Sequence, residues 1–278
     1  MEIIILGSGG INPPPRPGCQ CRVCREARDV GIPNARTRPG IFINEQSLLI
    51  GASPDLRSQL NRENVALVEN VIIPSWDYLH TAGLRELESL NYDSVTGSPV
   101  WDPIRVYIPP QDQDSEANYE LLQKYKTELG IIDVIELRDC GQLTIGDVNI
   151  LPVRIDNTGL FYFIIFNSQG KVVYVPGRYK RFSAISEAAD PDYFIVPCFY
   201  WENTTVFKRP IVNGDLLNEF CTFEQMLEEA ENLRAKQILI THIEEDYGMS
   251  HSDLQLLPKA KYDYYPLEIA FDGQRLSI

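Results

Sequence analysis

The chain has 278 residues, 44% hydrophobic and 23% charged, enough apolar sequence for a full buried core and an ordinary globular make-up. Its net charge of −14 argues against nucleic acid as a partner: gripping a phosphate backbone needs clustered Lys and Arg, and the basic residues here are scattered, with small groups at Arg36/Arg38 and at Arg178, Lys180 and Arg181. There is no run of about 18 apolar residues and no basic leader before Gly7, so no membrane span is expected and the expected location is the cytoplasm.

In chain order, residues 3–6 read as a buried strand entering the glycine turn Gly7-Ser8-Gly9-Gly10. Short apolar runs bounded by Gly, Pro, Asn or Asp predict further strands at 47–50, 71–74, 105–108, 149–153, 162–166, 172–175, 194–196 and 238–241. Helical periodicity marks 54–59, 81–89 and 116–127, and is clearest at 222–233. There Phe223, Met226, Leu227, Ala230 and Leu233 share one face and Thr222 stands as N-cap. The strands follow one another in an antiparallel-looking succession with helices between them. This predicts an α/β chain, its sheets covered by helices, forming one domain over 1–278.

The segment Gly18-Cys19-Gln20-Cys21-Arg22-Val23-Cys24 packs three thiols into six residues. Thiolates bind zinc in four-coordinate geometry, and a structural site closes with a further Cys, a His or a carboxylate. The plainer reading is three reduced cysteines in a loop. Cys140, Cys198 and Cys221 lie in apolar or helix-start contexts and read as packing residues. The glycine loop resembles a phosphate cradle, but no G-K-[ST] follows it, and it reads better as a tight turn.

Taken together, the glycine loop, the cysteine cluster, Asn34-Ala35-Arg36-Thr37-Arg38-Pro39-Gly40 and Ala52-Ser53-Pro54-Asp55-Leu56-Arg57 resemble the metallo-β-lactamase-fold hydrolases. Two branches are most similar: the phosphonate-operon cyclic phosphodiesterases and the B protein of pyrroloquinoline quinone biosynthesis. The resemblance implies a four-layer αββα sandwich and an H-x-H-x-D-H motif whose ligands hold two metals that activate a water. The matching segment is Ser75-Trp76-Asp77-Tyr78-Leu79-His80, where His80 alone keeps its ligand type. By the same resemblance Asp156 is the nearest ligand-capable residue to the next histidine position, and Arg178 follows the strand where a bridging aspartate would stand. His242 matches the last ligand. For the cysteine site the family's fourth ligand falls at Glu245, with His242 as the second choice.

With only three histidines, His80, His242 and His251, an ordinary di-metal hydrolase is not expected. The leading expectation is a protein that keeps a structural zinc at Cys19, Cys21, Cys24 and Glu245 but has a degenerate catalytic pocket, and that is a small-molecule-binding or accessory protein, an anionic ligand being one that Arg178 could hold. The alternative is an active mononuclear hydrolase of phosphodiester, ester or lactone bonds, with Asp77 and His80 catalytic and a metal on Asp77, His80, Asp156 and His242. A metal-free cluster of Ser75, Asp77 and His80 is a third reading. Phe199, Tyr200, Trp201, Trp76 and Tyr78 could line a ligand pocket or pack the core. Neither a membrane nor nucleic acid is an expected partner, and a homodimer is left open.

Overall fold

The computed structural model describes residues 1–112, 115–155, 159–181, 183–198, 220–261 and 265–278. Its central strands are buried on both faces, and the two-residue side-chain period sorts their apolar residues into separate layers. In β1 (Glu2–Gly7), Ile3 and Ile5 enter one core while Ile4 and Leu6 enter another. β2 (Gly40–Ile43) and β3 (Leu48–Ile50) repeat the division, with Phe42 and Leu49 facing away from Ile41, Ile43, Leu48 and Ile50.

The first sheet has seven strands and continues through β4 (Asn70–Ile72). A small hairpin, β5 (Tyr92–Asp93) and β6 (Ser98–Pro99), then precedes β7 (Ile104–Ile108) and β8 (Ile132–Glu136). The second seven-stranded sheet holds β9 (Leu143–Ile145), β10 (Val148–Arg154), β11 (Phe161–Phe166), β12 (Lys171–Tyr174), β13 (Tyr193–Pro197), β14 (Ile238–Thr241) and β15 (Leu267–Ile269). The chain then returns as β16 (Arg275–Ser277) to pair antiparallel with β1.

The antiparallel expectation holds for only half of each sheet. β16, β1, β2 and β3 pair antiparallel, but β3, β4, β7 and β8 run parallel. Likewise β9 to β12 pair antiparallel and β12 to β15 parallel. Parallel neighbours need crossovers, and the helices supply them.

α1 (Arg22–Val30) follows the cysteine loop. α2 (Leu56–Arg62), α3 (Tyr78–Thr81), α4 (Glu86–Asn91) and α5 (Glu116–Lys124) follow in turn. Leu56, Leu60, Leu87 and Leu122 from these helices pack on the outer face of the first sheet. On the second sheet, α6 (Phe223–Leu233) and α7 (His251–Lys261) contribute Phe223, Met226, Leu227 and Leu254. Between the sheets lies a third core joining Ile3, Ile5 and Ile50 to Phe161, Phe163, Tyr174 and Leu239. Three apolar cores thus separate four layers: helices, sheet, sheet, helices.

The helix read at 222–233 is present with a reciprocal cap: Thr222 Oγ1 accepts from Gln225 N–H at 3.3 Å, and Gln225 Oε1 accepts from Thr222 N–H at 3.1 Å. The helix read at 81–89 is instead broken into α3, a 3-10 turn Ala82–Arg85 and α4. Gly83 there lies so close to the chain that an added Cβ would meet Ser53 O at 2.2 Å.

Candidate functional site

The three cysteines are fixed by the start of α1. Cys21 is its N-cap, its Sγ accepting from Cys24 N–H at 3.4 Å, and Cys24 is fully buried in the first turn. The positive end of the helix favours thiolate at this place. Arg16 N–H donates to Cys24 Sγ at 3.2 Å, and Arg28 donates to the Arg16 and Cys19 carbonyls, which holds the loop over the helix.

Glu245 closes the group. Its Oε1 lies 3.2 Å from Cys19 Sγ and 3.0 Å from Cys21 Sγ, and Arg16 Nε stands 3.4 Å from Oε2. One ligand atom from each of Cys19, Cys21, Cys24 and Glu245 can be chosen so that all lie within 4.8 Å of one another. Burial pushes the Cys24 thiol up to about 12 and raises the Cys21 thiol as well. Coordination to a divalent cation reverses that cost, because the cation's charge deprotonates a thiol outright. Three sulfur donors and one carboxylate oxygen therefore fit a four-coordinate metal, and they fit it as a closed set.

The same region ties the two sheets together. Beyond β14, Ile243 N–H donates to Ser8 O at 3.0 Å and Glu245 N–H to Asn12 O at 2.9 Å. The Glu244 carboxylate accepts from Ile11 N–H at 2.8 Å and Asn12 N–H at 2.7 Å. Ser8 N–H goes to Asp272, Gly9 N–H to Thr37 O and Gly10 N–H to Ile243 O. Every amide from Ser8 to Asn12 is spent within the protein. The glycine loop is a turn, and Glu244 fills the place an anion would take. A Cβ at Gly10 would sit 2.2 Å from Glu244 Oε1, so this approach requires glycine.

His80 and His242 come together, buried, beyond the ends of β4, β12 and β14. His80, in α3, is 2% exposed, and its Nδ1 has no hydrogen-bond partner. His242 ends β14 with a left-handed φ of 58°. Its Nε2 donates to Pro176 O at 2.9 Å, leaving Nδ1 to accept from Thr241 Oγ1 at 3.0 Å. Both nitrogens are engaged, and the ring is neutral. Burial pushes His80 down to about 4 and His242 down to about 3. Gly177 lies beside them: a Cβ there would come within 3.2 Å of His80 Nε2 and of Leu160.

The other expected pocket residues are distributed differently. Asp77 is exposed and caps α3, its Oδ1 accepting from Leu79 N–H at 2.8 Å. Ser75 Oγ accepts from Asp77 N–H at 3.3 Å, and it is not a partner of His80 Nδ1. Leu79 is core. Arg178 is half-buried against the Phe220 ring at 5.4 Å, and its Nε is buried without a partner. Trp76 is buried and donates to Pro110 O at 3.0 Å, whereas Tyr78 is exposed. Asp156, Phe199, Tyr200 and Trp201 lie outside the described residues.

Comparison with known proteins follows the same architecture. No family model matches the chain. PqqB from Methylobacterium extorquens, solved with Zn(2+) bound, superposes with a TM-score of 0.76 at 16% identity, covering 100% of both chains. A diphosphatase from the PhnP family superposes with a TM-score of 0.72 at 20% identity, over 100% of this chain and 97% of that one. YhfI from Bacillus subtilis, a metallo-β-lactamase fold protein, gives 0.70 at 16% identity over 99% of each. The fold is the metallo-β-lactamase fold. Among curated sequences, coenzyme PQQ synthesis protein B of Bradyrhizobium diazoefficiens is 39% identical over 64 residues, 22% of this chain. An octanoyltransferase of Porphyromonas gingivalis is 34% identical over 94 residues, 32% of this chain. These matches span only 21% and 18% of those two proteins.

On this metallo-β-lactamase scaffold the metal-ligand cluster among the described residues is the cysteine group with Glu245, and an intact H-x-H-x-D-H motif is missing from the segment Ser75 to His80. Of the two choices for the fourth donor, Glu245 joins the sulfurs and His242 does not. One reading needs correction: Cys140 is exposed rather than a packing residue, sitting in a turn with φ 53°. His251 stands at the start of α7, buried, with its Nδ1 2.9 Å from Arg36. Arg16 escaped the sequence reading, and Glu244, which reads in sequence as part of a solvated acidic loop, lodges instead in the glycine loop. The local signal for Arg16 was its place among Pro13, Pro14, Pro15 and Pro17 just before the cysteines.

Proposed function

We propose that this chain, acting as one domain over 1–278, is a non-hydrolytic metallo-β-lactamase-fold protein. Zinc at Cys19, Cys21, Cys24 and Glu245 serves the fold, and the inherited pocket binds a small anionic molecule. The observation that carries this reading is the full engagement of His242: Nε2 is paired with Pro176 O and Nδ1 with Thr241 Oγ1, so a metal would have to displace one of these hydrogen bonds. A thiolate-rich donor set suits zinc, and a closed four-donor set is the mark of a structural rather than a catalytic ion. In the pocket, Arg178 brings a fixed positive charge to the place the resemblance gives to a metal-bridging carboxylate, and a guanidinium can grip an oxyanion there. The experiment is binding of small phosphoesters by the whole protein and by Arg178→Ala. Loss in the variant supports the pocket role, and equal binding ends it.

A second reading is favoured by one observation. His80 Nδ1 is buried without a partner, and a metal on it would relieve that cost. In this version Asp77, His80, Asp156 and His242 hold one metal for hydrolysis of phosphodiester, ester or lactone bonds, with a carboxylate accepting the proton of the attacking water. Metal-dependent phosphodiesterase turnover that is abolished by His80→Ala would establish it and overturn the first reading.

A further inference from the structure

A cleft of about 200 Å³ opens between the proline-rich segment 12–17 and the start of α2, with Arg16, Arg36, Arg38 and Asp55 in its lining. In a chain of net charge −14 it gathers three arginines against one lining carboxylate. We propose that this cleft is a binding site for a phosphate group carried by a small molecule, with Arg36 and Arg38 as its principal cations. The site is separate from the pocket of His80, His242 and Arg178, none of which lines it.

Arg36 is 5% exposed and buried without a carboxylate of its own. Its described partners are neutral: Ser8 Oγ at 2.6 Å, the Ala270 carbonyl and His251 Nδ1 at 2.9 Å. Asp272 reaches it only through Ser8, whose hydroxyl donates to Asp272 Oδ1 at 2.7 Å, and the other oxygen of Asp272 serves Thr37 and Arg62. A buried cation held by neutral acceptors keeps much of its field, and low-dielectric walls focus that field into the cleft.

Arg38 supplies the directional donor. Its Nη1 meets Asp55 Oδ2 at 3.2 Å, but its Nε is buried with no hydrogen-bond partner. A buried donor without an acceptor is costly, and an oxyanion in the cleft that draws the Arg38 guanidinium toward it would satisfy it. Pro13, Pro15 and Pro17 form a wall that offers no N–H and has fixed φ, so the cleft is shaped before a ligand arrives. Two guanidiniums at one cleft suit a tetrahedral phosphate, whose oxygens point in several directions; a planar carboxylate is served by a single fork.

The test uses the whole protein, with inorganic phosphate as the probe. The Arg38 Nε–H resonance, assigned by its loss in Arg38→Gln, is followed by NMR while binding is measured by calorimetry. The expected result is a saturable shift of that resonance with phosphate, and none with acetate at equal ionic strength. Arg38→Gln should weaken phosphate binding roughly tenfold, the worth of one charge-assisted hydrogen bond. Asp55→Asn, which keeps an acceptor for the Arg38 amide but removes the competing charge, should tighten it. A resonance that phosphate leaves unmoved, an equal response to acetate, or unchanged affinity in both variants would overturn the proposal.

Discussion

The Glu245 carboxylate lies 3.0 Å from the Cys21 thiol, across a sequence separation of 224 residues. One of these residues caps the first helix and the other follows strand β14, so a metal held between them fastens the start of the chain to its last third. Glu245→Ala leaves three sulfurs and an open fourth position. It should lower zinc affinity by at least roughly ten- to a hundredfold, a loss that even outer partners of metal ligands produce. Competition with a chromophoric chelator measures this, and an affinity equal to the parent's would remove Glu245 from the site.

Stripping the metal should cost much of the fold. Structural zinc contributes on the order of 10 kcal/mol, and whole domains are stable by roughly 5–15 kcal/mol. Chelation should therefore lower Tm sharply in calorimetry and loosen the contacts of Ser8–Asn12 with Ile243–Glu245. An unchanged Tm in the metal-free protein would contradict a structural role.

Gly177 is pinned between His80 and Leu160, with a Cβ at this position tighter than ordinary contact on both sides. Gly177→Ala should destabilise the protein by about 1–3 kcal/mol through overpacking, read as a lower denaturant midpoint at constant m. A neutral result would mean that Leu160 gives way easily and that the pocket is less rigid than its packing implies.

The histidines make a pH prediction. Burial holds His80 near 4, His242 near 3 and His251 near 4, all below the ordinary 6.5. Between these values and 6.5 the unfolded chain binds more protons than the folded one. Stability is therefore complete above pH 6.5 and falls as pH drops through that window, by up to about 1.4 kcal/mol per pH unit for each histidine. Imidazole C2–H resonances in the native protein should stay flat from pH 8 to about 5; midpoints near 6.5 would contradict the buried, neutral assignment.

The α/β make-up was legible because the central strands are short apolar runs closed by turn residues and because Thr222 announces α6 locally, while the four layers followed from the resemblance. Strands such as β2 and β8 were missed. Gly40-Ile41-Phe42-Ile43 is short and begins at glycine, and β8 at the sheet edge is partly exposed, so neither carries a clear period. The cysteine cluster was legible from spacing alone. Its fourth donor had two candidates, and only the direction of the chain after β14 separates Glu245 from His242. The lodging of Glu244 in the glycine loop and the partners of Arg36 are long-range contacts between polar side chains, which leave no periodicity in a sequence.

If the resident metal sits on the cysteines, elemental analysis of the purified protein finds about one zinc per chain, lost in Cys21→Ser and retained in His80→Ala. Two metals per chain, or one that survives Cys21→Ser and departs with His80→Ala, would contradict it.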